Sequence, residues 1–374
     1  MRVLLISGSY PPMKCGVGDY TRMLAGALSA TNGLQVGVLT SKAAAGAAAK
    51  ASAAVEVMAR MPDWGIGNAM LAVRSVRSWN PDVVHVQFPT QGYENGLLQF
   101  LLPAIGRLLG AQVVQTWHEP TNLRGALSFL MRALIPGEIV VVRPQFLQSL
   151  PRLLRAMLFS RELVYVASAA SIPRSRIDAT QRRIRKQFYL AGQERLLVYF
   201  GFVYIFKGAD LLFDIADPKI DRIVIAGELD RESDYGRRLL AMAATPKWAG
   251  RVSFVGFLLP EALADLIAVS DAVVLPFRLG GGEWNTSIHG AVANHAYVIT
   301  TSKDRRGFDI ETGVHYSPID DVDDMKTALA LAPQRRTQVD VDGQGPEVDA
   351  WGSIAQAHIT LYRRLLKTKI REAN

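Results

Sequence analysis

Short apolar runs rich in β-branched residues alternate with helix-length segments along most of this 374-residue chain. Runs that are apolar throughout are typical of parallel strands buried on both faces of a sheet. Their alternation with helical segments predicts an α/β fold with right-handed crossovers. The strands predicted in the first half are Val3–Ser7, Leu34–Leu39, Val83–Gln87, Gln112–Thr116, Ile139–Val142 and Leu163–Ala167. The strands predicted in the second half are Leu196–Phe200, Arg222–Ala226, Val252–Val255, Ala272–Pro276 and Tyr297–Thr301.

The alternation is interrupted once, by a polar and strongly basic stretch at 171–192. This stretch predicts a linker that contains a basic helix, Asp178–Phe188. A length of 374 residues suits two domains of ordinary size. We therefore predict two Rossmann-like, doubly wound domains, 1–180 and 181–350, followed by a C-terminal helix at 351–374.

One segment, Ser41–Ala54, is almost pure alanine with a few glycine and lysine residues. Its side chains are too small to bury much apolar surface, and they show no apolar periodicity. We predict a surface loop or a frayed helix there. A flexible flap beside a ligand site is the alternative.

The composition excludes several classes of protein. Hydrophobic residues make up 49% of the chain and charged residues 20%, which suits well-packed cores and excludes intrinsic disorder. The net charge of +8 favours anionic partners, but no nucleic-acid-binding module is evident, so nucleic acid is not an expected partner. The single cysteine, Cys15, excludes an internal disulfide and a cysteine-based zinc site. No apolar run has the length of a membrane span or the character of a signal peptide, which predicts a cytoplasmic protein.

Two motifs of the first half follow predicted strands, where ligands bind on open α/β sheets. Gly16 and Gly18 stand between a strand and a helix, where peptide N–H groups and the helix dipole can meet an anionic ligand. An ordinary tight turn is the alternative. His118 and Glu119 follow the strand that ends at Thr116 and predict a second group of ligand contacts. A structural histidine is the alternative there.

A third motif, Gly201 to Gly208, follows the first strand of the second half and contains Lys207. A cation at the start of a helix is disfavoured by the helix dipole, so its presence there favours a functional role. We predict that the Lys207 ammonium holds a pyrophosphate, and a surface lysine is the alternative.

The fourth motif joins a buried strand to a helix through three consecutive glycines, Gly280 to Gly282. We predict that the N–H groups of Gly281 and Gly282 bind phosphate oxygens and that Glu283 binds sugar hydroxyls. The helix that follows is capped at Asn285, Thr286 or Ser287, and the last two are predicted donor ligands. Arg278, which precedes the glycines, is predicted to reach the same phosphates, with a surface arginine as the alternative.

Metal and cofactor chemistry finds little support in the sequence. The acidic run Asp320 to Asp324 opens a predicted helix, where carboxylates stabilise the N-terminus, so it predicts a cap rather than a metal site. The six histidines show no metal-ligand spacing. We therefore expect no resident metal and no cofactor.

Taken in order, these motifs resemble the retaining glycosyltransferases of family 4, which have the GT-B fold. The resemblance implies two Rossmann-like domains facing a central cleft, with the last helix crossing back to the N-terminal domain. It implies transfer of a sugar, with retention, from a nucleotide-sugar to a glycan or lipid-linked acceptor in cell-surface polysaccharide or glycolipid synthesis. It also implies that His118 and Glu283 orient the donor sugar. The segments that carry it are Tyr10-Pro11-Pro12, Gly16-Val17-Gly18, Pro81–Gln87, His118-Glu119, Gly201 to Gly208, Ala226-Gly227, and the glycine loop continuing to Val298–Thr301.

The chain departs from this family at two positions, which marks it as a divergent member. Phe202 stands where the family usually has arginine, and Gly290 stands where it usually has the second of two glutamates eight residues apart. Glu283, near the position of the first glutamate, lies seven residues before Gly290. These departures motivate an alternative function, a catalytically weakened glycosyltransferase-like subunit that binds its ligand and supports an active partner.

Leucine and arginine residues are mixed in the first half of the chain, as they are in helices that lie on membranes. We predict that this half binds an anionic membrane surface at the inner face, through Leu97–Leu109 and Ala126–Leu134. The alternative is that the leucines fill the core and the arginines face water. The arginines concerned are Arg107, Arg124, Arg132, Arg143, Arg152, Arg155 and Arg161.

Overall fold

The computed structural model describes residues 1–48, 54–121, 125–135, 137–158, 161–190, 194–342 and 349–373. A sheet of seven strands, all parallel, forms the centre of the first half of the chain. Its spatial order is β3-β2-β1-β4-β5-β6-β7. The strands are β1 (Arg2–Ile6), β2 (Gln35–Ser41), β3 (Val55–Met61), β4 (Val83–Phe88), β5 (Gln112–Trp117), β6 (Glu138–Val141) and β7 (Leu163–Tyr165).

The second half contains another seven-stranded sheet, with the order β10-β9-β8-β11-β12-β14-β13. All its pairs are parallel except β13 with β14, which is antiparallel. The strands are β8 (Arg195–Phe200), β9 (Asp221–Ala226), β10 (Val252–Phe254), β11 (Ala272–Leu275), β12 (Val298–Thr301), β13 (Gly307–Asp309) and β14 (Val314–Ser317). The two Rossmann-like sheets confirm the predicted α/β class.

Eleven of the fourteen strands described were predicted from their apolar runs, including β7 and β10 at sheet edges, and β3, β13 and β14 were not. β4 and β5 are buried at every residue, as strands covered on both faces must be. β3, at an edge, mixes buried with exposed residues and so lacks a continuous apolar run. β13 has three residues, too few for a periodic signal.

Helices cover the connections between strands. The segment 42–48 of the alanine-rich stretch forms a 3₁₀ turn and one short helix, and residues 49–53 of that stretch lie outside the described residues. The α-helices are α1 (Gly16–Ser29), α2 (Ala45–Ala48), α3 (Ala69–Trp79), α4 (Leu98–Leu108), α5 (Ala126–Ala133), α6 (Arg152–Ala156), α7 (Ala179–Gln187), α8 (Leu212–Ile215), α9 (Asp234–Ala244), α10 (Pro260–Val269), α11 (Thr286–Ala293), α12 (Val322–Ala330), α13 (Ala332–Asp342) and α14 (Ala350–Ala373).

The chain divides into two compact units, and the first of them is discontinuous in sequence. Unit 1 comprises Met1–Ser168 and Val348–Asn374, and unit 2 comprises Ala169–Glu347. Residues 169–179, which the sequence analysis places in the first domain, belong to unit 2. Within this stretch the N–H of Ser175 donates to Asn294 Oδ1 of unit 2 at 2.7 Å. Helix α14 packs on unit 1: the Trp351 ring meets Tyr20 of α1 edge-on, at a centroid distance of 5.2 Å.

Candidate functional site

In unit 2, the third and fourth sequence motifs lie side by side at the carboxyl edge of the sheet. They follow β8 and β11, which are neighbouring strands at the point where the strand order reverses. Such a reversal opens a space between two strand ends and is where open α/β sheets bind ligands. The loops touch directly, since the N–H of Arg278 donates to the Phe206 carbonyl at 3.0 Å.

Gly208 allows this close approach of the two loops. Its φ is +73°, in the left-handed region, and a Cβ there would lie 2.1 Å from the Pro276 carbonyl oxygen. Lys207, directly before it, extends its ammonium over the ring of Phe277, with Nζ 4.6 Å from the ring centroid. A cation–π contact therefore holds the Lys207 ammonium, which is predicted to bind phosphate, beside the glycine loop.

The glycine loop differs from its predicted role in one respect, because its own N–H groups have partners within the protein. The Gly281 N–H donates to the Thr301 carbonyl at 2.6 Å, and the Gly282 N–H donates to Asn285 Oδ1 at 3.0 Å. A Cβ on Gly281 would lie 2.9 Å from Thr300 Oγ1. The two glycines thus provide tight packing here, and their N–H groups are hydrogen-bonded within unit 2.

The first turn of α11 offers the donors that the glycines do not. The side chain of Asn285, at the N-cap, accepts from Gly282 and makes no capping hydrogen bond to the helix. Among the described residues, the N–H groups of Thr286, Ser287 and Ile288 have no hydrogen-bond partner. Uncapped N–H groups at a helix start, together with the helix dipole, favour an anionic ligand.

Glu283, the predicted sugar ligand, is half-buried and forms an ion pair with Arg305 through Oε1 and Nη2. The ring of Tyr316 lies beneath the Arg305 guanidinium, at 5.3 Å. The sequence analysis missed Arg305. It follows β12, the strand next to β11, so its place after a predicted strand was the signal that could have identified it.

Arg278, predicted to contact phosphate, binds two carboxylates of its own unit. Its Nη2 lies 2.8 Å from Asp210 Oδ2, and its Nη1 lies 2.9 Å from Asp320 Oδ1. Asp210 is 2% exposed and also accepts from the Tyr235 hydroxyl at 2.8 Å. The guanidinium therefore compensates a buried carboxylate, which sequence reasoning could not foresee.

The position at which the resembled family has its second glutamate packs against Ile172. Gly290 is buried on α11, and a Cβ there would lie 2.9 Å from Ile172 Cδ1. A glutamate side chain would require Ile172 to move. The absence of the second glutamate is thus matched by the local structure of this chain.

In unit 1, the first two motifs also meet at the carboxyl edge of their sheet. Gly18 lies in the first turn of α1, where a Cβ would be 3.1 Å from the Ser9 carbonyl oxygen, while Gly16 has open space around it. His118 follows β5, and the ring of Tyr20 on α1 meets it edge-on at 4.7 Å. The Nε2–H of His118 donates to Gln87 Oε1 at 3.0 Å.

His118 belongs to a buried group of three histidines with His85 and His358 of α14. His85 hydrogen-bonds through Nδ1 to the Tyr362 hydroxyl and through Nε2 to Thr116 Oγ1, both at 2.7 Å. Burial lowers the pKa of His118 to about 3 and that of His358 to about 4, and it lowers the pKa of His85 well below its usual value. The three rings are therefore neutral at physiological pH.

Several arginines predicted to face a membrane instead bind groups within unit 1. Arg132 is buried over the rings of Phe88 and Trp117, at 5.3 Å from each. Arg143 pairs with Glu119, and Arg161 donates to backbone carbonyls that include that of Ala133. These three guanidinium groups therefore stabilise the fold through partners within unit 1. Arg124 lies outside the described residues.

Exposed leucines and three arginines remain on or beside α4, α5 and α6 as a candidate membrane surface. Arg107 is exposed on α4 and donates to Gln112 Oε1 at 3.3 Å. Arg152 is exposed and Arg155 donates to the carbonyls of Gln148 and Leu150. None of the described helices combines the length and apolar composition that crossing a bilayer requires. Nor do the described residues include a cluster of His, Cys, Asp or Glu suited to a metal ion. The exposed leucines are Leu97, Leu108, Leu127, Leu134 and Leu153.

No family model and no curated protein sequence matches this chain. Solved structures do match it along nearly its whole length. Sucrose-phosphate synthase from Thermosynechococcus elongatus is 17% identical, with 98% of this chain and 100% of that chain covered and a TM-score of 0.68. Anabaena HepE in complex with UDP-glucose is 13% identical, covering 99% and 100%, with a TM-score of 0.69.

The catalytic domain of starch synthase IV from Arabidopsis thaliana, bound to ADP and acarbose, is also similar. It is 12% identical, with 98% of this chain and 99% of that chain covered and a TM-score of 0.72. These neighbours are glycosyltransferases, and the complexes show that two of them bind UDP-glucose or ADP. At such low identity the likeness concerns the fold. The chain has the GT-B fold of glycosyltransferases.

Proposed function

We propose that the protein transfers a sugar, with retention, from a nucleotide-sugar to a glycan or lipid-linked acceptor in cell-surface polysaccharide or glycolipid synthesis. The observation that carries this proposal is the arrangement in unit 2. There Lys207, Glu283 and the uncapped first turn of α11 lie on adjoining loops at the switch point of the sheet. Nucleotide binding by the structural neighbours supports the same class of donor.

The chemistry of the site suits a diphosphate leaving group. As the glycosidic bond breaks, the electron pair stays with the diphosphate, whose negative charge grows. The Lys207 ammonium and the amides of Thr286, Ser287 and Ile288 are positive groups that are fixed before the reaction, so they stabilise the growing charge. Because these groups supply the stabilisation, the proposal requires no metal ion and no cofactor.

The sugar of the donor is assigned to Glu283. Its carboxylate can accept hydrogen bonds from sugar hydroxyls, and its backbone carbonyl accepts from His289 Nε2 at 2.6 Å, which fixes the loop. Arg305 already compensates the charge of this carboxylate. His118 of unit 1 keeps the role that the family resemblance predicts, orientation of the donor sugar.

Replacing Lys207 by alanine is expected to weaken binding of UDP or ADP by about 10- to 100-fold, since a charged hydrogen bond contributes about 1.5–3 kcal/mol. Isothermal titration calorimetry with each nucleotide measures the change. Lys247→Ala is the matched control. Lys247 also lies over an aromatic ring, that of Trp248, but it precedes β10 and so lies at the amino edge of the sheet, away from the candidate site. Equal affinities of the Lys207→Ala variant and the unaltered chain would exclude Lys207 from the site.

The alternative, a glycosyltransferase-like binding subunit, is favoured by the packing of Ile172 at Gly290 and by the aromatic residue Phe202 in place of an arginine. A panel of radiolabelled nucleotide-sugars separates the two functions. Hydrolysis or transfer of any donor, lost in Glu283→Gln, identifies an enzyme. Nucleotide binding with no turnover of any donor in the panel, alone or with acceptor glycans, identifies a binding subunit.

We further propose that the exposed leucines on and beside α4, α5 and α6, with Arg107, Arg152 and Arg155, bind the anionic inner face of a membrane, where a lipid-linked acceptor is presented. Cosedimentation with anionic and neutral vesicles is the test. Leu127→Ser together with Leu153→Ser is expected to reduce binding to anionic vesicles by about tenfold or more, because each buried leucine contributes about 1.5–3 kcal/mol. Binding that is negligible to both vesicle types would refute this surface.

A further inference from the structure

The loop that leads from β8 to Lys207 carries three aromatic side chains at alternate positions, Phe202, Tyr204 and Phe206. The backbone at Tyr204 is extended, with φ −111° and ψ 154°, and the 3₁₀ turn Ile205–Lys207 follows it. Val203, between the first two, is buried in the core of unit 2.

The three rings form a continuous stack, called here the aromatic ladder. The rings of Phe202 and Tyr204 are 5.9 Å apart with planes inclined by 14°, and those of Tyr204 and Phe206 are 5.4 Å apart with planes inclined by 27°. Nearly parallel rings at these distances are offset, so each leaves part of its face uncovered. Mutual stacking also fixes the rings, so a ligand orders few additional torsions on binding.

Two rings of the ladder are exposed although they are largely apolar, and Phe202 is partly buried. Tyr204 is 40% exposed and Phe206 is 43% exposed, and Ile205 between them is 56% exposed. Scattered apolar residues are common on surfaces, but a contiguous group of ordered rings marks a binding site.

The position of the ladder indicates what it binds. Its last ring, Phe206, lies 5.8 Å from Lys207 Nζ, the proposed diphosphate ligand, and the other two rings precede it in the same loop. The acceptor of a glycosyl transfer must lie next to the donor sugar, beyond the diphosphate. A nucleobase fits less well, because from Gly201 to Phe206 only Tyr204 has a side chain able to hydrogen-bond its edge.

We propose that the aromatic ladder binds successive pyranose rings of the acceptor glycan, an inference that rests on the proposed function. The C–H groups of a pyranose face carry partial positive charge and pack on the negative face of an aromatic ring. A row of stacked rings suits a chain of sugars better than a single one. The acceptor is thus an oligosaccharide or the glycan part of a lipid-linked intermediate.

Binding of the full chain to maltose-, cellulose- and chitin-type oligosaccharides tests this proposal, with UDP titrated separately. Phe202→Ala and Tyr204→Ala are each expected to weaken binding of the preferred oligosaccharide by about tenfold, the contribution of one aromatic contact, and to leave UDP affinity unchanged. Tyr204→Phe keeps the ring and is expected to retain binding. Phe188→Ala removes an aromatic side chain that is 82% exposed outside the ladder and is the matched control.

Three results would overturn the assignment to glycans. The first is that the unaltered chain binds no oligosaccharide in the panel. The second is that the ladder variants bind the preferred oligosaccharide as tightly as the unaltered chain does. The third is that the ladder variants lose binding to anionic vesicles while they retain binding to the oligosaccharide. The last result would assign the ladder to a membrane. Failure of the unaltered chain to bind UDP or ADP is a separate outcome: it contradicts the proposed donor site and leaves the glycan result to be judged by itself.

Discussion

Replacing Arg278 by methionine is expected to lower the free energy of unfolding of unit 2 by about 3 kcal/mol, because it leaves the buried carboxylate of Asp210 without its closest cation. Arg238, at 3.3 Å, and the hydroxyl of Tyr235 remain and limit the loss. Urea unfolding of the full chain, followed by pulse proteolysis with peptides of unit 2 identified by mass spectrometry, measures the change.

The double variant Arg278→Met with Asp210→Asn is the control, since it removes the buried charge along with its partner. It is expected to recover most of the stability, which a purely steric effect of methionine would not allow. UDP affinity distinguishes this structural role from the phosphate contact that the sequence predicts. A tenfold loss of UDP affinity in Arg278→Met, with stability unchanged, would establish Arg278 as a phosphate ligand instead.

Unit 1 is expected to lose stability steeply as the pH falls from about 6.5 towards 4. Its buried histidines have lowered pKa values, about 3 for His118 and about 4 for His358, while the unfolded chain takes up protons near the ordinary pKa of 6.5. The unfolded state therefore binds more protons, and the free energy of unfolding decreases on acidification. At about pH 5 the expected loss is about 2 kcal/mol for each of these two histidines, and His85 adds to it.

The difference in unfolding free energy between about pH 7.5 and pH 5, measured for peptides of unit 1, checks this expectation. His358→Gln removes one titrating group and is expected to reduce that difference by about 2 kcal/mol. His315→Gln is the control, because His315 lies in unit 2 beside Asp324 and not among the buried rings. A pH dependence that is identical in His358→Gln and the unaltered chain would contradict the buried neutral state of His358.

The sequence predicted the centre of each sheet because those strands depend on burial alone. A strand such as β5, covered on both faces, must be apolar along its length, and that pattern is visible without any knowledge of neighbours. Strand β3 mixes buried with exposed residues, and its pattern resembles that of many surface segments. The same logic placed the candidate motifs correctly after strands, because the carboxyl edge of a parallel sheet follows from chain direction.

What the sequence could not predict depends on contacts between residues far apart in the chain. The partner of the Gly281 N–H is Thr301, and the side chain that fills the space at Gly290 is Ile172. Asp210 binds Arg278 across 68 positions. No local pattern encodes these pairings, so the sequence suggested phosphate contacts for groups that the fold uses itself.

The return of the chain to unit 1 has a consequence for synthesis on the ribosome. Residues up to Ser168 emerge first, but Trp351, His358 and Tyr362, which cover Tyr20 and His85, are translated after the whole of unit 2. The nascent first unit therefore presents uncovered polar and aromatic groups until the final helix has left the ribosome. Unit 2 is continuous and can complete its folding earlier, so the order of folding is the reverse of the order in which the two units begin.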